Sequence, residues 1–304
     1  MFVFVFMKKG VILGIIFLGF IFVCFSLVNA KITGKAQQGN VDVSLQVGNA
    51  VPAINFWEGP WNIFPIPDDS VNVDFEVTIS DDNGYQDISS VTFDFTNEGI
   101  IKSGTCIESS GGGTIAIYSC SVDMDFYDIG GASNPWTITI YASDGVNNVD
   151  KSSDYLDLNF PYFIYGTMLY MKLDTSSISW GAVSPDSVNL PAINPIKMSN
   201  IANTPISGVH ITGHSLGHAT STEIIDASSF GVNEQLPGCV DAQSLAESVE
   251  VEVAGASLQV GDYNLVPEAN QDLYFCLINL GSISTGSYTS GDGGGSWSLR
   301  ITDI

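Results

Sequence analysis

Val71-Asn72-Val73-Asp74-Phe75-Glu76-Val77, running on to the turn Asp81-Asp82-Asn83-Gly84, carries the clearest structural signal in this chain. Alternation puts Val71, Val73, Phe75 and Val77 on one side and Asn72, Asp74 and Glu76 on the other, as an antiparallel strand with one buried face requires. Outward from it, similar runs stand at 41–45, 91–95, 115–118 and 136–142, with Gly111-Gly112-Gly113 and Asp144-Gly145 as turns. The second half adds strand candidates at 170–173, 188–196, 209–212, 249–253, 272–277 and 296–301, and only 241–249 has a helical look. The chain reads as all-β.

Its 304 residues are too many for one ordinary sandwich and suit two of about 110 to 140 residues each. The expected organisation is a hydrophobic leader at 1–30, a linker or first strand at 31–50, a β-sandwich at 51–162 and a second at 163–304. The halves share no residue-by-residue repeat, so they are two different sandwiches.

The leader reads as an export signal: Lys8 and Lys9 precede an apolar run from Val11 to Val28, and Val28-Asn29-Ala30 supplies small residues for a signal peptidase. The run is also long enough to stay as an uncleaved membrane anchor. A third reading comes from Lys9-Gly10-Val11-Ile12, which resembles the site where archaeal prepilin peptidases cut, leaving a pilin-like filament subunit with a retained N-terminal helix. Val23 before Cys24 excludes a lipobox. All three readings put the rest of the chain outside the cell, secreted or at its surface.

Nine basic residues stand against 33 acidic ones, a formal net charge of −24 that becomes −26 if Lys8 and Lys9 leave with the leader. No basic patch exists to displace counterions from phosphates, which excludes nucleic acid and anionic lipid surfaces as partners. Other cell-surface proteins or glycans are the partners expected, with membrane contact only through an uncleaved N-terminal segment. Outside the leader the cysteines number four, and in an oxidising compartment they read as two disulfides, Cys106–Cys120 and Cys239–Cys276, one per domain. Zinc is not supported, since there is no C-x-x-C pair and no nearby histidine.

Phe75-x-Val77-x-Ile79-Ser80-Asp81-Asp82-Asn83-Gly84-Tyr85-x-Asp87-Ile88-Ser89-Ser90-Val91, with Ala142-Ser143-Asp144-Gly145 further on, resembles the Ig-like modules of prokaryotic surface proteins, akin to polycystic-kidney-disease and cadherin-type domains. Ser179-Trp180-Gly181-x-Val183-x-Pro185, followed by Ser199-Asn200-x-x-Asn203, is similar to other surface β-sandwiches, with Asp186 and Ala202 standing where those carry glycine. The resemblance implies two consecutive Ig-like sandwiches with an architectural or adhesive role, and it carries no catalytic residue over.

Four groups of residues are candidate sites. Gly213-His214-Ser215-Leu216-Gly217 matches the G-x-S-x-G of serine esterases. No amphipathic helix follows it, however, and the one later histidine, His218, is too close in sequence to serve as a triad base, so no catalytic residue is expected. His210, His214 and His218 with Glu223 or Asp226 form a weaker transition-metal candidate, because an extended segment would hold the outer two about 26 Å apart. Asp81, Asp82, Asn83 and Asp87 gather hard oxygen ligands in one turn, which suits calcium, and no other cofactor is expected. Asp123, Asp125 and Asp128 make a second acidic group, and Asp144 is expected at the same end of the sandwich. The same Asp-Asn-Gly letters also serve as plain hairpin chemistry.

Phe56, Trp57, Trp61 and Phe64 are dense enough that Trp57 and Trp61 are a candidate platform for sugar rings, the alternative being a plug for the end of the first sandwich. The leading expectation for function is a non-catalytic extracellular structural or adhesive protein. A glycan-binding module, a pilin-like subunit and, last, a serine esterase follow it.

Overall fold

A computed structural model describes residues 48–58, 62–153, 162–235 and 239–303, so the leader and the strand candidate at 41–45 lie outside the described residues. From Asn49 onward the chain forms one compact unit, and it is all-β.

The first half is a sandwich of two four-stranded antiparallel sheets. One runs β1 (Ala53–Glu58), β3 (Ser70–Ser80), β7 (Ile115–Asp125), β6 (Ile107–Gly112), and the other β5 (Ile100–Thr105), β4 (Ser90–Asn97), β8 (Thr137–Ser143), β9 (Asn148–Ser152). The central ladder pairs β3 with β7 over eleven residues without a bulge, from Ser70 opposite Asp125 to Ser80 opposite Ile115. Along β3 the burial follows the alternation, with Val73, Phe75, Val77 and Ile79 inward and Asn72, Asp74 and Glu76 outward. Phe93 of β4 fills the middle of the core, with its ring centroid 5.1 Å from that of Phe75 and 5.7 Å from that of Phe95. Gly104 on β5 is needed for this packing, because a Cβ there would run into the Phe93 ring.

The short strands β2 (Asn62–Ile63) and β10 (Ile164–Tyr165) pair in parallel, and Phe163 bridges Trp136. Phe163 and Tyr165 are buried in the first core, while Leu169 and Met171 pack on the second. The chain therefore passes from one core to the other after Tyr165.

The second half is built from shorter pieces. Its largest sheet runs β11 (Met171–Leu173), β13 (Ile196–Asn200), β20 (Asn270–Asn279), β17 (Phe230–Asn233), β18 (Gln243–Ser244), with β12 (Val188–Pro191) also paired to β20. Three-stranded groups set β14 (Gly208–Thr212) between β19 (Glu250–Glu252) and β22 (Ser298–Thr302), and β15 (Leu216–His218) between β16 (Ile224–Ile225) and β21 (Tyr288–Thr289). Trp297, partly buried, packs against the core, 5.4 Å from Phe230 and 5.9 Å from Phe275 between ring centroids, and its indole N–H reaches the His214 carbonyl.

Two expectations need correction here. The run 188–196 is two strands, since the turn through Asn194-Pro195 interrupts it. The segment 241–249 is not a helix: Leu245 is drawn into the core, its N–H bonds the Phe230 carbonyl, and Ser248 turns at positive φ. Tertiary pairing has overridden a weak local preference.

Both disulfides form as expected, Cys106–Cys120 and Cys239–Cys276. Cys106 lies where the chain crosses from one sheet to the other, with its N–H on the Val91 carbonyl, so its bond to β7 ties that crossover down. Cys239 straps a 3-10 turn to β20. Closing loops of 14 and 37 residues contributes about 3 and 4 kcal/mol in the chain-entropy picture.

The two cores are joined by a polar seam. The buried side chain of Asn203 donates to the carbonyls of Asp128 (3.1 Å) and Gly166 (2.8 Å) and accepts the N–H of Met168 (2.7 Å). Lys172 pairs with Asp68 at 2.6 Å and reaches the Tyr263 hydroxyl at 3.1 Å, and the Asp68 N–H bonds the Ile201 carbonyl. Asn203→Ala strands two carbonyls and one N–H at this seam. It should lower stability by about 1–3 kcal/mol and broaden the urea unfolding transition followed by tryptophan fluorescence.

Candidate functional site

At one end of the first sandwich three segments converge: the loop after β3, the turn between β8 and β9, and the chain entering at Asn49–Ala50. Asp81 directly follows β3 and is 1% exposed. Its N–H bonds the Thr114 carbonyl, and its Oδ1 accepts the N–H of Asn83 at 2.8 Å in an Asx turn. Gly84, at φ 115°, lets the chain reverse into the 3-10 turn Tyr85–Asp87. Asp144 comes from the far β8–β9 turn. Its Oδ1 accepts the N–H groups of Val146 (2.7 Å) and Asn147 (2.5 Å), and its Oδ2 accepts the side-chain amides of Asn147 and Asn49, both at 2.9 Å. These bonds, led by the Asn147 N–H, hold the Asp144 carboxyl below the usual carboxylate range.

One carboxylate oxygen from each of Asp81, Asp87 and Asp144 lies within 4.8 Å of the other two. Hard oxygen donors without nitrogen or sulfur match calcium or magnesium rather than a transition metal. The sequence candidates are thus divided. Asp81 and Asp87 meet, Asp82 is exposed and outside the group, and the Asn83 side-chain oxygen instead accepts the N–H of Ala50.

The second acidic group already has protein partners. Lys102 stands 2.7 Å from both Asp125 and Asp128, and Asp123 accepts the Asn72 amide. Burial raises the Asp128 carboxyl although Lys102 opposes the shift, while Lys102 itself, lowered by burial, is held above its ordinary value by the two carboxylates.

The G-x-S-x-G stretch has a structural explanation. Ser215 is buried; its hydroxyl donates to Glu247 Oε2 at 2.6 Å and accepts the N–H of Ala227 at 3.2 Å. The Ser215 N–H donates to the same Oε2, and His214 Nδ1 lies 3.0 Å from Oε1. Glu247 therefore stands between serine and histidine, and the histidine ring meets this carboxylate instead of the serine hydroxyl that a Ser-His-acid triad would give it. The Ser215 bonds, and after them His214, pull the Glu247 carboxyl down to about 2. Gly217 is glycine because the helical turn Ser290–Gly293 lies directly on it, with the Asp292 carbonyl where a Cβ would stand.

The histidines share no site among the described residues. His210 faces Glu250 at 3.5 Å, His214 bonds Glu247, and His218 meets Tyr288 edge to face with centroids 4.9 Å apart. Glu223 accepts the Tyr288 hydroxyl and the Ser284 N–H, and Asp226 precedes a separate 3-10 turn. The transition-metal candidate is therefore corrected: each ring has its own neighbours.

Trp57 is 2% exposed in the first core, because β1 turns that residue inward beside Val77. A side chain so placed has no face to offer a sugar ring, which removes the platform reading at Trp57. Trp61 lies outside the described residues.

No family model matches the chain, and a search of curated proteins finds no match. Glu247 escaped sequence reasoning because it acts on residues in a distant loop, whereas the sequence placed Asp144 at an end of the sandwich without showing which carboxylates it would meet.

Ser215→Ala removes a buried hydroxyl that is hydrogen-bonded on two sides. That variant should lower the melting temperature by a few degrees, and fluorophosphonate should leave wild-type Ser215 unlabelled. Glu247 has a folded pKa below its unfolded one, so its contribution is present above about pH 4.5 and disappears as pH falls towards 2. The melting-temperature gap between wild type and Glu247→Gln should be present above about pH 4.5 and should close on acidification towards pH 2, as read by calorimetry.

Proposed function

We propose that this chain is a non-catalytic extracellular structural or adhesive protein of the cell surface, made of two consecutive Ig-like sandwiches. The observation that carries the reading is the build itself: two cores, each with its own disulfide, locked through the buried Asn203 amide. Such a unit resists bending and proteolysis, which suits a protein standing in an oxidising medium. The first-half sheet orders also support the Ig-like assignment. Taking the eight sandwich strands in chain order as A, B, C, C′, D, E, F and G, the sheets read A-B-E-D and C′-C-F-G.

The absence of chemistry in this reading rests on Ser215, whose hydroxyl is spent on Glu247. The strongly acidic composition supports protein or glycan partners over nucleic acid. Edge strand β6, exposed at all six residues, offers unpaired backbone as a contact surface, with Ile107 at its start 75% exposed. Among the described residues no helix is long and apolar enough to cross a membrane.

Protease shaving of intact cells tests the proposal. Fragments of this chain should be released into the medium with Cys106–Cys120 and Cys239–Cys276 intact in non-reducing peptide maps. Recovery only after lysis, with four free thiols, would sink it.

A further inference from the structure

We propose that Asp81, Asp87 and Asp144 form a calcium site that fastens the chain where it enters the first sandwich. This goes beyond the adhesive reading and does not depend on it.

The starting observation is one atom. Oδ2 of Asp81 is buried, and among the described residues no hydrogen-bond donor reaches it. The other oxygen of the same carboxylate is used, by the Asn83 N–H, and Asp144 has donors on both of its oxygens. Buried carboxylate oxygens are ordinarily paired, since removal from water weakens the charged form and an unmade bond forfeits compensation. At Asp81 the surroundings make matters worse, because two further carboxylates come within 4.8 Å. Negative groups at this spacing repel one another strongly in a partly dehydrated site. A cation bound among them removes the repulsion and gives the under-bonded Asp81 carboxylate a partner.

The donor set identifies the class of ion. All three donors are carboxylate oxygens, and a span of 4.8 Å accommodates a centre with bonds of about 2.3–2.6 Å, the calcium range. Magnesium needs bonds of about 2.0–2.1 Å in a near-ideal octahedron and gives up its waters reluctantly, so it fits this open triangle less well. Asp87 is the most solvent-open of the three, which leaves a side for ion entry and for water ligands.

The same two loops hold the incoming chain. Asn49 donates its side-chain amide to Asp144, the Ala50 N–H is taken by Asn83, and the Asn147 amide reaches the Ala50 carbonyl at 3.5 Å. An ion that ties the Asp81 loop to the Asp144 turn therefore also stiffens the clamp on Asn49 and Ala50. In its absence the repulsion acts to part those loops.

The test uses the purified full chain, stripped with chelator and titrated with calcium chloride or magnesium chloride. Calorimetry should show one calcium site with weaker magnesium binding. At a free calcium concentration of about 100 times Kd the folding equilibrium constant should rise about 100-fold, seen as a higher melting temperature. Hydrogen exchange at the Ala50 amide should slow on calcium addition. Asp81→Asn and the more exposed Asp87→Asn should each abolish the calcium effect, and Asp82→Asn should retain it. Asp87→Asn keeps the test decisive if Asp81→Asn fails to fold. Identical wild-type melting curves in calcium and in chelator would overturn the site. Wild-type calcium binding by Asp87→Asn would overturn the ligand set, and binding without protection at Ala50 would overturn the fastening role.

Discussion

The eleven-residue ladder between β3 and β7 is the constraint on which the rest of this molecule depends. At roughly 3.3 Å per residue it spans about 33 Å, and each end delivers a polar cluster. Past Ser80 it releases Asp81 into the acidic end, with the Thr114 carbonyl holding the first N–H of the loop. Past Asp125 it releases Asp128, whose side chain meets Lys102 and whose carbonyl accepts from Asn203. An uninterrupted register fixes both ends together, because a slip of one residue would turn Val73, Phe75, Val77 and Ile79 out to water. Burying each of those side chains is worth about 1.5–3 kcal/mol, so the slipped states are strongly disfavoured.

Buried polar groups divide this protein into settled and unsettled regions. Ser215, Asn200 and Asn203 are buried and all have partners, and they act as brackets. Glu247 illustrates how such a bracket resembles a catalytic motif: serine, histidine and carboxylate are all present, with the carboxylate between the other two instead of behind the histidine. Asp81 is the contrasting case. Its uncompensated oxygen sits beside two like charges in a sandwich whose hydrophobic packing is otherwise complete. Packing energy can hold such an arrangement together, and a site that tolerates local cost is where function is usually found.

The second half achieves its core differently. Its strands are mostly two to five residues long, and β20 alone is a long scaffold, receiving β12, β13 and β17. Aromatic contacts among Trp180, Phe230, Phe275 and Trp297 and the Cys239–Cys276 bond supply the cohesion that long ladders give the first half. The seam then joins the halves with hydrogen bonds and ion pairs and with the rings of Phe126 and Tyr263, 6.2 Å apart between centroids. A cleft opens there among Asp68, Asp125, Tyr127 and Asp262, where Lys172 and Lys102 already pair with the first two carboxylates.

Alternation along 71–77, the turn letters at 81–84 and four cysteines outside the leader determined the all-β class, the inward face of β3 and both disulfides, since each depends on local geometry or on a small set of pairings. The same local rules failed at 241–249, where helical letters carry strand and turn because Leu245 belongs to a core assembled elsewhere. Only the tertiary structure decided that Asp144 joins Asp81 and Asp87 while Asp82 does not, that Trp57 points inward, and that Glu247 separates Ser215 from His214. The physical reason is common to all of these. Periodicity reports which face of an element is buried, whereas the meeting of loops depends on the order in which sheets are laid side by side, and that order is a property of the whole packed chain.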